Sequence, residues 1–570
     1  MKPANFFLKA LLALSIAISL ATAASRPAAT GAHGMVVAPE AHAADVGLEV
    51  LKQGGNAVDA AVATALALAV TYPNAGNLGG GGFLLYRTPG GRFHAHDHRE
   101  TTPEDLAAGM FLDREGKPVP ERSLRGGLAI GVPGSVAGLL DAHRRWGSLP
   151  FKDLAAAAIR LAEDGFILST ETAASLNRNA DRLGADPEAA RIFVRRDRPW
   201  QAGDRLVQTD LAGTLAQVAE GKEAGFYQGR IGRAIVETVR SQGGVMSLED
   251  LKEYKPVLRE PVHGLYRGYL ITSFPPPSSG GLVVLQILEM LEPFDVAGSG
   301  FGSSRTIHLM VEAERRAYAD RATWMGDPDF FKVPLKELLD PDYLAGRAGS
   351  IDPEQATRSG QVAAYKPVPE ESPETLHFSI ADGEGGIVSM TTTLNSSYGS
   401  GIVARGTGIL LNNEIDDFAI APGVPNQFGL VGGEANAIAG GKRPLSSMTP
   451  TIVSTSPTAA YSRPVMALGS PGGSRIITSV LQVLLNVLDH HMPLQEAVDA
   501  PRFHHQWLPD TVWYERSMLP ADVAAGLTRR NHALEPSGRP MGNVAAIWFE
   551  NDGTIHGAAD PRGQGKAAGH

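Results

Sequence analysis

The 570-residue chain has no cysteine. Disulfides are therefore excluded, and whatever holds the fold together must come from its core. Positive charge is short as well: 51 Lys and Arg face 61 Asp and Glu, for a net charge of −10. That balance argues against nucleic acid or an anionic membrane surface as the main partner, and fits a protein that handles small molecules. Beyond the first residues no apolar run reaches the ~20 residues of a membrane-spanning helix. Repeats of solenoid type are also absent.

What is present begins at the N-terminus. Lys2 and Lys9 precede an apolar run from Ala10 to Leu20, and Ala21-Thr22-Ala23 follows. A basic region, a short apolar stretch and an A-x-A site together predict a secretory signal, residues 1–23, removed after Ala23. The expected location is the periplasm or the exterior, with no membrane span after removal.

The length suits two to four domains or one large body. "GGNAVDAAVATALALAVTYP", Gly54 to Pro73, predicts a buried Ala-rich helix ending before Pro73. "FKDLAAAAIRLAEDG", "IHLMVEAERRAYADRATWM" and "RIITSVLQVLLNVLDHH" predict further helices. The run Pro275 to Pro277 with "SSGG" after it predicts a loop. Prolines and acids between Asp352 and Glu374 predict an exposed linker. After it Leu376, Phe378 and Ile380 alternate with Thr375, His377 and Ser379, "ADGEGG" turns, and "IVSMTTTLN" returns as a hairpin. Helices mixed with hairpin-linked strands predict a layered α+β body.

Thr375 sits at the seam between linker and strand. A threonine hydroxyl is a poor nucleophile until a base takes its proton, and the residue's own α-amine, with a pKa of roughly 8, can be that base. The condition is a cut between Glu374 and Thr375. Taken alone, Thr375 also suits the simple role of a β-former at a strand start.

The segments "TLHFSI" and "IVSMTTTLNSSYG" resemble the signature of the γ-glutamyltransferase (glutathione hydrolase) family. So do "GILLNNEIDDF", "PGVPNQFGLVGGEANAIAGGKRPLSSMTPTIV", "LGSPGGSRIITSVLQVLLNVLD" and, upstream, "DHRETTP", "GNLGGGGF" and "GVPGSVAGL". The resemblance implies an N-terminal-nucleophile hydrolase, an αββα four-layer sandwich built by two fragments of one precursor. A large subunit, 24–374, and a small one, 375–570, would pair as a heterodimer. Thr375 would cut the chain and then take γ-glutamyl groups from glutathione or related compounds, passing them to water or an acceptor amine. No metal or organic cofactor is implied.

Family positions then fall on particular residues. Arg99 would pair with the donor's α-carboxylate, since a guanidinium forks onto a carboxylate as lysine cannot. Ser446 and Ser447 would add hydroxyl donors. Asn395, Glu414 and Asp417 would accept from the α-ammonium, and Thr393 would orient the nucleophile. Gly472 and Gly473 would offer backbone N–H groups to the oxyanion. Phe428 falls on a lid loop where relatives often carry tyrosine. Leu376 and Gly386 depart from the family's usual small residue and its Ser or Asn.

Three rival readings remain. His94, His96 and His98 share one strand face, a spacing that also suits zinc. A periplasmic binding protein would need no cut. An acylase for glutaryl β-lactams would share the nucleophile without needing an ammonium site.

Overall fold

A computed structural model describes residues 27–362, 375–421, 423–455 and 462–570. The expected signal, residues 1–23, and Glu374 lie outside these. Two seven-stranded sheets, antiparallel at every step, form the centre. One runs in the order Ala29–Gly31, Ile555–Ala559, Ala545–Phe549, Pro464–Gly469, Thr451–Ser454, Tyr269–Ser273, Val262–Tyr266. The other runs Lys566–Gly569, Gly34–Ala38, Leu376–Asp382, Ile387–Thr393, Gly81–Arg87, Phe93–His98, Val257–Arg259. Each sheet interleaves strands from before and after residue 374.

Side-chain alternation sorts these strands into layers. In the second sheet Val36, Leu376, Phe378, Ile380 and Met390 pack against helices Ala41–Lys52, Ala57–Thr71 and Phe151–Glu163. Met35, Val37, Phe83, Leu85 and Ala381 point the other way and meet Ile452, Ala467 and Ile547 of the first sheet. The first sheet's outer face, with Ile271, Val453, Met466 and Leu468, packs on Gly280–Leu291, Ser304–Trp324 and Arg475–Leu488. The result is the αββα sandwich. The alternation seen around Thr375 thus separates two buried environments, not core from solvent.

Local chemistry explains the elements nearest the seam. Helix Ala57–Thr71 starts at a capping box: the Asn56 side chain accepts from Val58 N and Asp59 N, and Asp59 accepts from Asn56 N. All fifteen of its residues are buried. The hairpin pairs Leu376 with Thr392 and Ala381 with Ile387. Its turn is held by the Asp382 carboxylate, which accepts from Glu384 N, Gly386 N (2.7 Å) and, across the layer, Ala57 N at 2.9 Å. A Cβ at Gly386 would collide with that carboxylate, which accounts for glycine there. Leu376, the other departure, is fully buried among the helices' apolar side chains.

Candidate active site

Thr375 lies at the end of its strand with only 8% of its surface exposed. Its Oγ1 is 3.5 Å from Thr393 Oγ1 on the neighbouring strand. Thr393 Oγ1 also accepts from Asn395 N at 2.8 Å, an arrangement that suits a Thr393 O–H donated to Thr375. The strand end is fixed by Asn77 of "GNLGGGGF". Its amide donates to Thr393 O (2.9 Å) and Thr392 Oγ1 (3.1 Å), and its carbonyl accepts from Gly80 N and Ser135 Oγ. This bracket was not foreseen, although the glycine run beside Asn77 marks a close backbone approach.

Gly472 and Gly473 immediately precede helix Arg475–Leu488, where backbone N–H groups and the helix dipole favour negative charge. Their φ values, +135° and +56°, belong to glycine. Neither amide hydrogen has a partner among the described residues. A Cβ on Gly473 would lie 2.6 Å from Phe428 Cδ1, so the Phe428 ring rests on the glycine backbone. Phe428 is itself buried, and with Leu430 of the same loop it lines the pocket. Asn426 Oδ1 accepts from Phe428 N and Leu430 N, Asn426 Nδ2 donates to Asp417 Oδ1, and Gln427 N donates to Asp416 Oδ2.

Glu414 and Asp417 come together because Glu414–Asp417 is one 3₁₀ turn. Both bind Arg99: Nη1 donates to Glu414 Oε1 and Nη2 to Asp417 Oδ2. Arg99 Nε reaches Pro444 O at 3.4 Å, and Glu100 lies 3.6 Å from Nη1. The guanidinium expected to await a carboxylate is therefore already engaged by two of the protein's own acids. The arginine is fully buried rather than on the surface. Burial works against its charge, but Glu414, Asp417 and Glu100 more than offset this and raise its pKa. Three carboxyls around one cation titrate high. Burial lifts Glu414 well above the usual carboxylate range and Glu100 to about 7, with Arg99 opposing in each case. Asn395 holds Asn413 O with its amide N–H (2.9 Å), and its side chain lines the same pocket.

The serines lie opposite. Ser446 Oγ accepts from Met448 N at 3.1 Å, and Ser447 Oγ accepts from Arg321 Nη2 at 3.2 Å. Arg321, from helix Ser304–Trp324, is a second buried guanidinium in the pocket that the sequence did not announce. Burial lowers its pKa to about 10, which still leaves it charged near neutrality. Thr375, Thr393, Asn395, Arg99, Arg321 and the two serines, with the acids and Phe428, line one small pocket.

The histidine strand does something else. His96 Nε2 is 2.9 Å from Asp141 Oδ2, and the rings of His96 and His98 lie 5.6 Å apart, tilted by 45°. No group of three or more His, Asp or Glu among the described residues could hold a metal ion. No described helix is long and apolar enough to cross a membrane.

Comparison with known proteins adds an independent line. The family model for gamma-glutamyltranspeptidase matches residues 43–570. A glutathione hydrolase proenzyme of Escherichia coli is 46% identical over 530 residues, 93% of this chain and 90% of that one. The crystal structure of a cephalosporin acylase from Bacillus halodurans superposes with a TM-score of 0.84 at 28% identity, covering 96% and 97% of the two chains. That of the Helicobacter pylori gamma-glutamyltranspeptidase gives 0.56 at 41% identity, covering 56% of this chain and 93% of that one. A threonine at the strand start, a pocket that it lines and a match across nearly the whole length converge: the chain belongs to the gamma-glutamyltranspeptidase family.

Proposed function

We propose that the protein is a γ-glutamyltransferase and glutathione hydrolase that matures by cutting itself between Glu374 and Thr375. The single observation that carries this reading is the placement of Thr375. Its hydroxyl sits beside Thr393, in the lining of a pocket that also holds acids, two buried arginines and Gly473. In the first reaction Thr375 Oγ1 attacks the Glu374 carbonyl and displaces the Thr375 nitrogen. Water then cleaves the ester, leaving a Glu374 carboxylate and a free Thr375 amine.

In turnover that amine takes the Thr375 hydroxyl proton as Oγ1 attacks the donor's γ-carbonyl. The N–H groups of Gly472 and Gly473 hold the oxyanion, each such donor contributing on the order of 3 kcal/mol to the transition state. The C–N bond breaks and the amine leaves with the proton. Water or an acceptor amine then attacks the γ-glutamyl ester and restores Thr375. Arg99, Ser446 and Ser447 serve the α-carboxylate, and Asn395, Glu414 and Asp417 the α-ammonium. A glutaryl side chain has no ammonium, so the acid cluster favours γ-glutamyl over glutaryl donors. Signal removal after Ala23 and export, followed by pairing of fragments 24–374 and 375–570, complete the proposal.

The test is N-terminal sequencing of the small fragment from exported protein, with a γ-glutamyl and a glutaryl anilide as substrates. The expected small fragment begins Thr-Leu-His-Phe-Ser, Thr375→Ala yields neither fragments nor turnover, and the γ-glutamyl anilide is the faster substrate. A fully active uncut chain, or a preference for the glutaryl anilide, would overturn the reading.

A further inference from the structure

Two loops distant in sequence meet behind the pocket. The "PPPSS" loop, Pro275 to Ser279, runs beside "KRPLSSM": Ser446 N donates to Pro277 O and Ser279 N to Ser446 O, both at 2.8 Å. Arg321 reaches across to both loops. Its Nε donates to Ser279 Oγ at 2.8 Å, and Ser279 Oγ in turn donates to Ser446 O at 2.7 Å. Its Nη2 donates to Ser447 Oγ. One planar, charged group thus fixes the backbone of Ser446 and the hydroxyl of Ser447 together.

A hydroxyl that accepts a strong donor has its own proton left to give. Ser447 accepts from Arg321 and Ser446 from Met448 N, and neither hydroxyl proton has an acceptor among the described residues. Arg321 Nη1 likewise has no hydrogen-bond partner among them, although the side chain is buried and lines the pocket. No described carboxylate hydrogen-bonds to Arg321, whereas two bind Arg99. Asp417 supports the Arg321 charge from a distance without a hydrogen bond, so two hydroxyl protons and a guanidinium edge that no described carboxylate binds directly converge, which is the arrangement a planar anion requires.

We propose that Arg321 is a positioning residue for the donor's α-carboxylate. It sets Ser446 and Ser447 with their protons turned into the pocket and supplies positive charge that no described carboxylate takes up through a hydrogen bond. Arg99, tied to Glu414 and Asp417, then serves both ends of the zwitterion, while Arg321 serves the anionic end. The inference rests on the γ-glutamyl reading above and refines how that site selects its donor.

The experiment compares kcat/KM for a γ-glutamyl anilide with that for its decarboxylated counterpart, 4-aminobutyryl anilide, in the mature two-fragment enzyme. Arg321→Gln should lower the ratio of the two values by about 10–100-fold, the range for a lost charged hydrogen bond, mostly through KM of the γ-glutamyl donor. Arg321→Lys, which keeps the charge without the fork, should fall between Gln and the unmodified enzyme. The combined Arg321→Gln, Ser447→Ala variant should lose less than the product of the single losses, because the serine acts through the arginine. An unchanged ratio, or strict independence of the two substitutions, would overturn the proposal. Should Arg321→Gln fail to mature, the Lys variant decides by the same ratio. If the unmodified enzyme itself fails to prefer the γ-glutamyl donor, the functional reading falls instead.

Discussion

At Gly473 two constraints meet, a φ of +56° and a phenyl ring where a Cβ would project. Gly473→Ala must therefore shift both the proposed oxyanion amide and the lid. Activity on a γ-glutamyl anilide is expected to drop at least ~100-fold, the loss typical of one missing oxyanion donor, with fragment formation scored separately on a denaturing gel. Gly386 is constrained by one neighbour only. Gly386→Ser forces its Cβ against the Asp382 carboxylate and should cost about 1–3 kcal/mol in a urea melt. Glu414 bears on pH. Carboxyls whose pKa is raised are protonated in mildly acidic solution and ionise as pH rises. The negative charge offered to an ammonium should thus grow through about pH 7, where Glu100 titrates, and kcat/KM should climb with it. Glu414→Gln should flatten that climb and raise the donor KM, which pH–rate profiles of both enzymes would show. The position of Thr375 at a strand start was legible because the alternation that follows it is local. Arg321 was not, because its partners Ser279 and Ser447 are 42 and 126 residues away. Arg99 could be named as a cation for the site, but not its pairing with Glu414 and Asp417, over 300 residues distant.

Among elements, the lid is the informative one. Loop residues 423–433 are pinned to the same short turn that carries the proposed ammonium acceptors, through Asn426 to Asp417 and Gln427 to Asp416. The proposed lid and the acids are thereby held in place by shared contacts. Asn426→Ala removes the Asp417 contact and the side-chain acceptor for Phe428 N and Leu430 N. It should loosen the cover, raise the donor KM several-fold and leave precursor cutting intact, which steady-state kinetics and gel analysis can separate. Helices were readable wherever one strong pattern persisted: "AVDAAVATALALAVT" ends at Thr71, as the following Pro73 requires. The strands were readable in alternation but not in meaning. Phe378 and His377 are both fully buried, one against helices and one between sheets, and a sequence cannot tell two interiors apart.

For the molecule as a whole, acid stability follows from its buried titrating groups. Burial holds His377 at about 3, His505 at about 4 and His532 at about 2, and His98 and His504 well below the usual imidazole value. A lowered folded pKa means stability complete above about 6.5 and lost as pH falls, up to about 1.4 kcal/mol per unit for each group. Glu100, Glu314, Glu414 and Asp416, raised by burial, act in the opposite sense between their unfolded and folded values. The two sets oppose one another from pH 6.5 to about 4.5. Below that only the histidines and the ion-paired acids remain, so urea midpoints should stay nearly level and then fall steeply. A midpoint that held constant down to pH 3 would contradict this. The interleaved sheets have a different consequence. Strand Leu376–Asp382 lies between Gly34–Ala38 and Ile387–Thr393, and Lys566–Gly569 closes the far side of Gly34–Ala38. A nick at residue 374 therefore leaves two polypeptides woven through each other, which dilution cannot part without unravelling both. A chain without a single sulfur bridge can be severed beside its proposed nucleophile and still behave as one piece.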